Sequence, residues 1–234
     1  MPLPKPRKDL KIAILVPCYK RPEYAVKCIK ALEEAQEYKN THFVLIDDGS
    51  NDGTDKILNG SKLPNKTIGI HKENKGLRNT LIEFIAWAKF KDFDIMGVIG
   101  NDCLVPKNWL NDLLDIFEKS DVEILSPNVF PSNAAFKHGK EQGLPYMPSK
   151  IVGGLWFMYM DLVKDIVFKR HDIKGITGAF NILKQILIEK DPKVGWASKV
   201  VVQDIGHWSG LHSQHIKSQK HFDYYQEVGR GVDW

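Results

Sequence analysis

Residues 41–54, THFVLIDDGSNDGT, decide the fold. Thr41–Ile46 is a short run of apolar and β-branched residues, the pattern of a buried strand. Asp47-Asp48-Gly49-Ser50-Asn51-Asp52-Gly53-Thr54 follows at once. It is dense in residues that make turns and cap helix N-termini, and it predicts a helix over Asp55–Leu58. The same order surrounds it. Upstream, Lys11–Val16 reads as a buried strand stopped by Pro17, and Pro22 opens a helix with apolar residues at Tyr24, Ala25, Cys28, Ile29 and Leu32. Downstream, Ile68–His71 predicts a third strand and Leu77–Lys89 an amphipathic helix. Ile95–Ile99 predicts a fourth buried strand, and Pro106–Lys119 a helix after Gly100-Asn101-Asp102. Strand alternating with helix predicts an α/β fold, its mostly parallel sheet flanked by helices on both faces. No internal repeat is visible.

The bulk properties agree. A chain of 234 residues allows one large domain, or a core with an appendage, at about 100–200 residues per domain. A composition of 43% hydrophobic and 26% charged residues matches an ordinary soluble globular protein, and excludes a disordered tail or a disulfide miniprotein. No apolar run reaches the roughly 18 residues of a membrane span. The opening MPLPKPRKDL lacks the apolar stretch of a signal peptide. Cys18, Cys28 and Cys103 show neither metal-ligand spacing nor an even count and read as reduced thiols, so the expected location is cytoplasmic. Lys plus Arg number 33 against 29 Asp plus Glu, a net charge of +4 that permits an anionic ligand without requiring one.

In an open α/β sheet, ligands bind beyond the carboxyl ends of the strands. Those ends are Pro17-Cys18-Tyr19-Lys20-Arg21, Asp47-Asp48-Gly49-Ser50 and Gly100-Asn101-Asp102. Acidic residues after two successive strands, with cations beside them, suit a ligand carrying hydrogen-bonding groups, phosphates and a hard divalent metal. There is no GxGxxG and no GxxxxGK[ST], so neither a dinucleotide fingerprint nor a P-loop is supported. Read alone, Asp47–Ser50 is equally a plain turn with a helix cap.

Four ordered blocks carry a resemblance: ILVPCYKRPEY at 14–24, FVLIDDGSNDGT at 43–54, ENKGLRNTL at 73–81 and VIGNDCLVPKNWL at 98–110. Together they resemble the GT-A glycosyltransferases of glycosyltransferase family 2, over roughly residues 10–165. The resemblance implies a Rossmann-like GT-A sheet, a nucleotide-diphosphate-sugar donor and Mn²⁺ or Mg²⁺. By the same resemblance, Pro17, Tyr19 and Arg21 border the nucleotide, while Asp47 and Asp48 contact base and ribose. Lys75, Gly76, Arg78 and Asn79 lie beside the donor phosphates or sugar, and Asp102 matches the last position of the DxD metal motif. At the first DxD position this chain has Gly100, which lowers the charge of the site. Asn101 is left to offer a carbonyl oxygen or to contact the ribose.

Residues 1–165 are therefore expected to form the nucleotide-sugar-binding core, and 166–234 an acceptor-side extension packed on the same domain. Within Ile151–Met160 (IVGGLWFMYM), a Gly-Gly pair before aromatics fits close approach to a sugar ring, and equally a bulge in a core strand. The resemblance favours an inverting over a retaining transfer. The family's base motif is not matched: Asp172 is the nearest candidate general base and Asp161 another, and the base stays unassigned.

Four of the eight histidines fall within Gln203–His221. His207, after a predicted strand at Lys199–Val202, is similar to the family's late histidine, which implies a metal ligand beside Asp102. His212, His215 and His221 read as surface residues or as a separate zinc site. The cations and aromatics of 215–230 suit a closing lid or a solvated tail.

The function expected is metal-dependent transfer of a sugar from a nucleotide-diphosphate-sugar to a hydroxyl of a glycan or glycoconjugate. A second reading has hydroxymethylated bases in DNA as acceptor, though no concentrated cationic stripe supports it. A third is a catalytically inactive nucleotide-binding module, kept open by Gly100 and the unmatched base motif.

Overall fold

The computed structural model describes residues 7–35, 39–130, 146–149, 155–168 and 177–205. The elements are β1 (Ile12–Cys18), α1 (Pro22–Glu34), β2 (Thr41–Asp47), α2 (Thr54–Gly60), β3 (Lys66–Ile70), α3 (Leu77–Phe90), β4 (Ile95–Val98), β5 (Cys103–Leu104) and α4 (Trp109–Lys119). They continue with β6 (Ile124–Phe130), β7 (Met147–Ser149), β8 (Trp156–Tyr159), α5 (Thr177–Lys190) and β9 (Val194–Asp204). The strands join in one mixed sheet, ordered β3-β2-β1-β4-β8-β6-β9-β5, with β7 also on β9. Strands β3, β2, β1 and β4 are parallel, and β6 runs parallel to β9. Strand β8 runs antiparallel to both β4 and β6, and β5 and β7 run antiparallel to β9.

Period-two alternation divides the core. Ile12, Ile14, Val16 and Cys18 of β1 face α1, α2 and α4, whereas Ala13 and Leu15 face α3 and α5. Helix α1 buries Tyr24, Ala25, Cys28, Ile29 and Leu32, the five residues its spacing singles out. Its stripe and the matching one on α4 cover one face of the sheet. Leu81, Phe84, Ile85 and Ala88 of α3 cover the other.

Three expectations need correcting. Strand β1 continues through Pro17 to Cys18, because Pro17 directs its donorless nitrogen toward β4 beyond that strand's last residue, Val98. Helix α4 begins at Trp109 rather than Pro106. Cys103 and Leu104 are drawn into β5, and Asn108 turns the chain with a left-handed φ of 65°. Strand β9 begins at Val194, five residues before its expected start, and its register with β6 slips after Pro127.

The carboxyl ends of β1 to β4 form one rim. The Asp48 N–H donates to the Cys18 carbonyl at 2.8 Å, the His71 N–H to the Asp47 carbonyl at 2.9 Å, and the Ile99 N–H to the Leu15 carbonyl at 2.9 Å. Among the described residues, no helix is long and apolar enough to cross a membrane.

Candidate active site

Two adjacent aspartates end β2 and do different work. Asp47, 3% exposed, turns inward: its Oδ1 accepts the Ser50 N–H at 3.0 Å and the Ser50 hydroxyl. Ser50 Oγ accepts the Lys20 N–H at 2.8 Å, which ties the loop after β2 to the loop after β1. Asp48, 4% exposed, faces the start of α3. Its Oδ1 accepts the Lys75 N–H at 2.9 Å, and its Oδ2 accepts the Gly76 N–H at 2.9 Å. These are charge-assisted bonds to backbone that the helix start would otherwise leave unsatisfied. Gly49, the next residue, takes φ +75°, and a Cβ there would lie 2.4 Å from the carbonyl carbon of Glu73. Only glycine lets the 73–76 segment close over this turn.

His71, the residue after β3, completes the arrangement. Its Nδ1 lies 2.7 Å from Asp48 Oδ1 and its Nε2 3.0 Å from Glu83 Oε2. Lys75 Nζ sits 3.0 Å from the other Glu83 oxygen. His71 and Glu83 were not among the expected site residues. The available signal was position, since His71 stands at a strand's carboxyl end like the two aspartates.

Across the rim, Arg21 Nη1 stands 3.6 Å from Asp102 Oδ2. Lys20 and Arg21 both take left-handed backbone, φ 59° and 58°, uncommon for such residues and a form of strain that clusters at ligand sites. The Arg21 carbonyl accepts the Tyr24 and Ala25 N–H groups at 3.0 and 3.3 Å, fixing the start of α1. Pro17 is half-buried beneath, and Tyr19 is exposed. Asp102 leans over Gly100: a Cβ on Gly100 would lie 2.7 Å from Asp102 Oδ1. Below lie three buried free thiols. Cys28 Sγ donates to the Gly100 carbonyl at 3.5 Å. Burial raises all three above the ordinary thiol range, Cys28 to about 12, and the negative charge of Asp102 adds to the rise at Cys28 and Cys103.

The rim thus brings together Pro17, Tyr19, Arg21, Asp47, Asp48, Lys75, Gly76 and Asp102. Arg78 is buried on α3, 5% exposed, and Asn79 donates back to the Lys75 carbonyl at 2.8 Å. Asn101 Nδ2 is buried, with no hydrogen-bond partner among the described residues. Asp161 follows β8 at the opposite end of the strands, where the Met160 N–H donates to the Asp94 carbonyl just before β4 begins, and it pairs with Lys164. That position removes Asp161 as a base for this rim. Asp172, His207, His212, His215 and His221 lie outside the described residues.

Among the described residues, no group of three or more His, Cys, Asp or Glu gathers as a metal cage. Asp102 nevertheless fits a hard divalent cation of the kind that takes one carboxylate from protein and further oxygens from substrate phosphates and water. The Ile205 N–H donates to the Asp102 carbonyl at 2.9 Å, so β9 ends against this residue, two positions before His207.

A mixed sheet of this order, flanked by helices on both faces, is the GT-A fold. The chain belongs to glycosyl transferase family 2, whose sequence profile matches residues 13–190. Glycosyltransferase GlyG of Streptococcus pneumoniae serotype 4 is 25% identical over 124 residues, covering 51% of this chain and 39% of GlyG. Glycosyltransferase AglE of Haloferax volcanii is 28% identical over 124 residues, covering 50% of this chain and 39% of AglE. The chain therefore spans well under half the length of these curated relatives. Among solved structures, the mannosyltransferase PcManGT of Pyrobaculum calidifontis, in complex with GDP-Man and Mn²⁺, superposes with a TM-score of 0.70. Identity is 17%, over 97% of this chain and 66% of that one. S. aureus TarS 1–349 in complex with UDP-GlcNAc gives 0.66 at 15% identity, over 94% and 65%. At such identities the likeness concerns the fold.

Proposed function

We propose that this glycosyltransferase moves a sugar from a nucleotide-diphosphate-sugar to a hydroxyl of a glycan or glycoconjugate, with Mn²⁺ or Mg²⁺ as cofactor. Its main support is the meeting of Arg21 and Asp102 at 3.6 Å on the rim that also carries Asp47 and Asp48. An anion-binding cation and a metal-binding carboxylate side by side are what a departing diphosphate needs. Two solved structures of the same fold, PcManGT and TarS, hold GDP-Man with Mn²⁺ and UDP-GlcNAc, which supports a nucleotide-sugar donor.

In this reading Asp102 and, beyond Ile205, His207 hold the cation. When bound, the cation supplies charge neutralisation at the diphosphate. Arg21, Lys20 and Lys75 offer further positive charge to the leaving group as the sugar C1 becomes cation-like. Asp47 and Asp48 contact base and ribose, Lys75, Gly76, Arg78 and Asn79 lie beside the donor phosphates or sugar, and Asn101 offers a carbonyl oxygen or contacts the ribose. Asp172 takes the acceptor proton on a carboxylate oxygen, and attack from the face opposite the diphosphate inverts C1. Residues 1–165 form the donor side and 166–234 the acceptor side. A cytoplasmic setting is supported by the three free thiols.

The test is a panel of UDP-, GDP- and TDP-sugars with Mn²⁺, read as a shift in melting temperature and then as turnover. One nucleotide should raise the midpoint, and Asp102→Ala should abolish metal-dependent turnover. A panel with no stabilising nucleotide, or full activity in Asp102→Ala, refutes the proposal.

A further inference from the structure

We infer that Arg21 stands in for the divalent cation at Asp102 and is drawn off by the donor's diphosphate, so that cation and nucleotide enter as a pair. This rests on the donor reading above.

Three observations on the rim support it. The guanidinium faces Asp102 Oδ2 at 3.6 Å with both side chains about 70% covered, 30% and 27% exposed, so the pair is partly shielded from water. The Arg21 backbone is pinned: its carbonyl receives two helix N–H groups, and the preceding N–H is held by Ser50. What is left to move is the side chain. Gly100 leaves Asp102 as the one carboxylate of the Gly100-Asn101-Asp102 triplet, and Asp102 Oδ1 already overhangs the spot where another would start.

One carboxylate against one guanidinium is a neutral pair and attracts a lone cation weakly. A diphosphate changes the balance, because arginine binds phosphate oxygens bidentately and in preference to a single distant carboxylate oxygen. Once Arg21 turns to the phosphates, the Asp102 carboxylate is no longer offset by the guanidinium, and the phosphate oxygens add ligands for the cation. Linkage then requires nucleotide and cation to strengthen each other's binding equally. Arg21 is thus a positioning residue for the metal as well as a phosphate contact.

The experiment is Mn²⁺ titration of the full chain by calorimetry and by the Mn²⁺ spin-resonance signal, without nucleotide and with UDP or GDP. The proteins compared are wild type, Arg21→Gln, Arg21→Asn, Arg21→Lys and Asp102→Asn. Asparagine suits left-handed backbone and provides a second neutral variant should glutamine disturb folding. The neutral variants should bind Mn²⁺ without nucleotide about five-fold more tightly than wild type, the size expected for releasing a part-exposed ion pair. They should also lose most of the nucleotide enhancement, while Arg21→Lys, with the charge but not the fork, should bind Mn²⁺ alone as weakly as wild type and keep part of the enhancement. If Asp102→Asn abolishes Mn²⁺ binding and the neutral Arg21 variants bind no better than wild type, the stand-in role is wrong and the donor reading survives. If Asp102→Asn binds Mn²⁺ as wild type does, with or without nucleotide, the donor reading fails and takes this inference with it.

Discussion

The ring of His71 joins Asp48 to Glu83, with Nδ1 2.7 Å from one carboxylate and Nε2 3.0 Å from the other. It couples the end of β2 to the first turns of α3 through a side chain only 10% exposed. Replacing it with alanine leaves two carboxylates without a shared partner, one of them buried. His71→Ala should lose about 1–3 kcal/mol of stability by denaturant titration, and should weaken nucleoside-diphosphate binding because the 75–76 turn loosens. His71→Gln, able to keep one contact, should fall between alanine and wild type.

Gly49 and Gly100 make opposite predictions. At Gly49 the backbone is left-handed and the obstructing atoms are backbone. Gly49→Ala should cost about 2 kcal/mol or more, read as a lowered unfolding midpoint. At Gly100 the close atom is the far end of the Asp102 side chain, which can swing aside. Gly100→Asp should stay within about 1 kcal/mol of wild type while tightening Mn²⁺ binding by adding a second carboxylate. Unfolding of Gly100→Asp would show that Asp102 cannot yield.

The thiols beneath the site should be silent in the folded protein. With Cys28 pushed up to about 12 and Cys18 and Cys103 also raised, the three stay protonated thiols at pH 8. Iodoacetamide should label none of the three natively at that pH and all three in denaturant, read by intact mass. Rapid native labelling would contradict the burial.

His42 gives a pH dependence. Burial, then the Lys91 charge, lowers its affinity for a proton below that of the free imidazole, with its ordinary value of 6.5. The ring lies against Trp87 and Phe93, at centroid distances of 5.2 and 5.9 Å. The unfolded chain therefore binds this proton more readily. Stability is fully present above pH 6.5 and declines as pH falls through the lower folded value. Melting temperatures from pH 8 to 5 should show that decline, and His42→Gln should make it shallower.

Much of this architecture could be read from residue spacing. The five apolar residues of α1 are the five it buries, and the strand-end aspartates stand on the rim because parallel strands end together. The direction of β8 could not be read. All four residues Trp156–Tyr159 are buried, so the strand is a continuous apolar run whose pattern carries no orientation. The extent of β9 was hidden for a related reason, since its slip in register against Pro127 breaks alternation. In the site, the Asp48–His71 contact joins residues 23 positions apart and depends on the closure over Gly49, which neither residue signals. The left-handed turn at Lys20 and Arg21 was equally silent, because neither side chain favours it.

The reversal of β8 has a consequence for how such a chain can change. Strand β6 leaves toward the rim at Phe130, and β8 returns from it at Trp156, beside Val98. Strand β6 thus ends and β8 begins at the carboxyl rim of β1 to β4, whereas the turn after Tyr159 opens on the far side. An insertion placed directly after Phe130 or directly before Trp156 therefore enters at the rim and leaves the pairing of β1 to β4 untouched. Growth at that point changes what surrounds the rim while the strand scaffold beneath it is inherited whole.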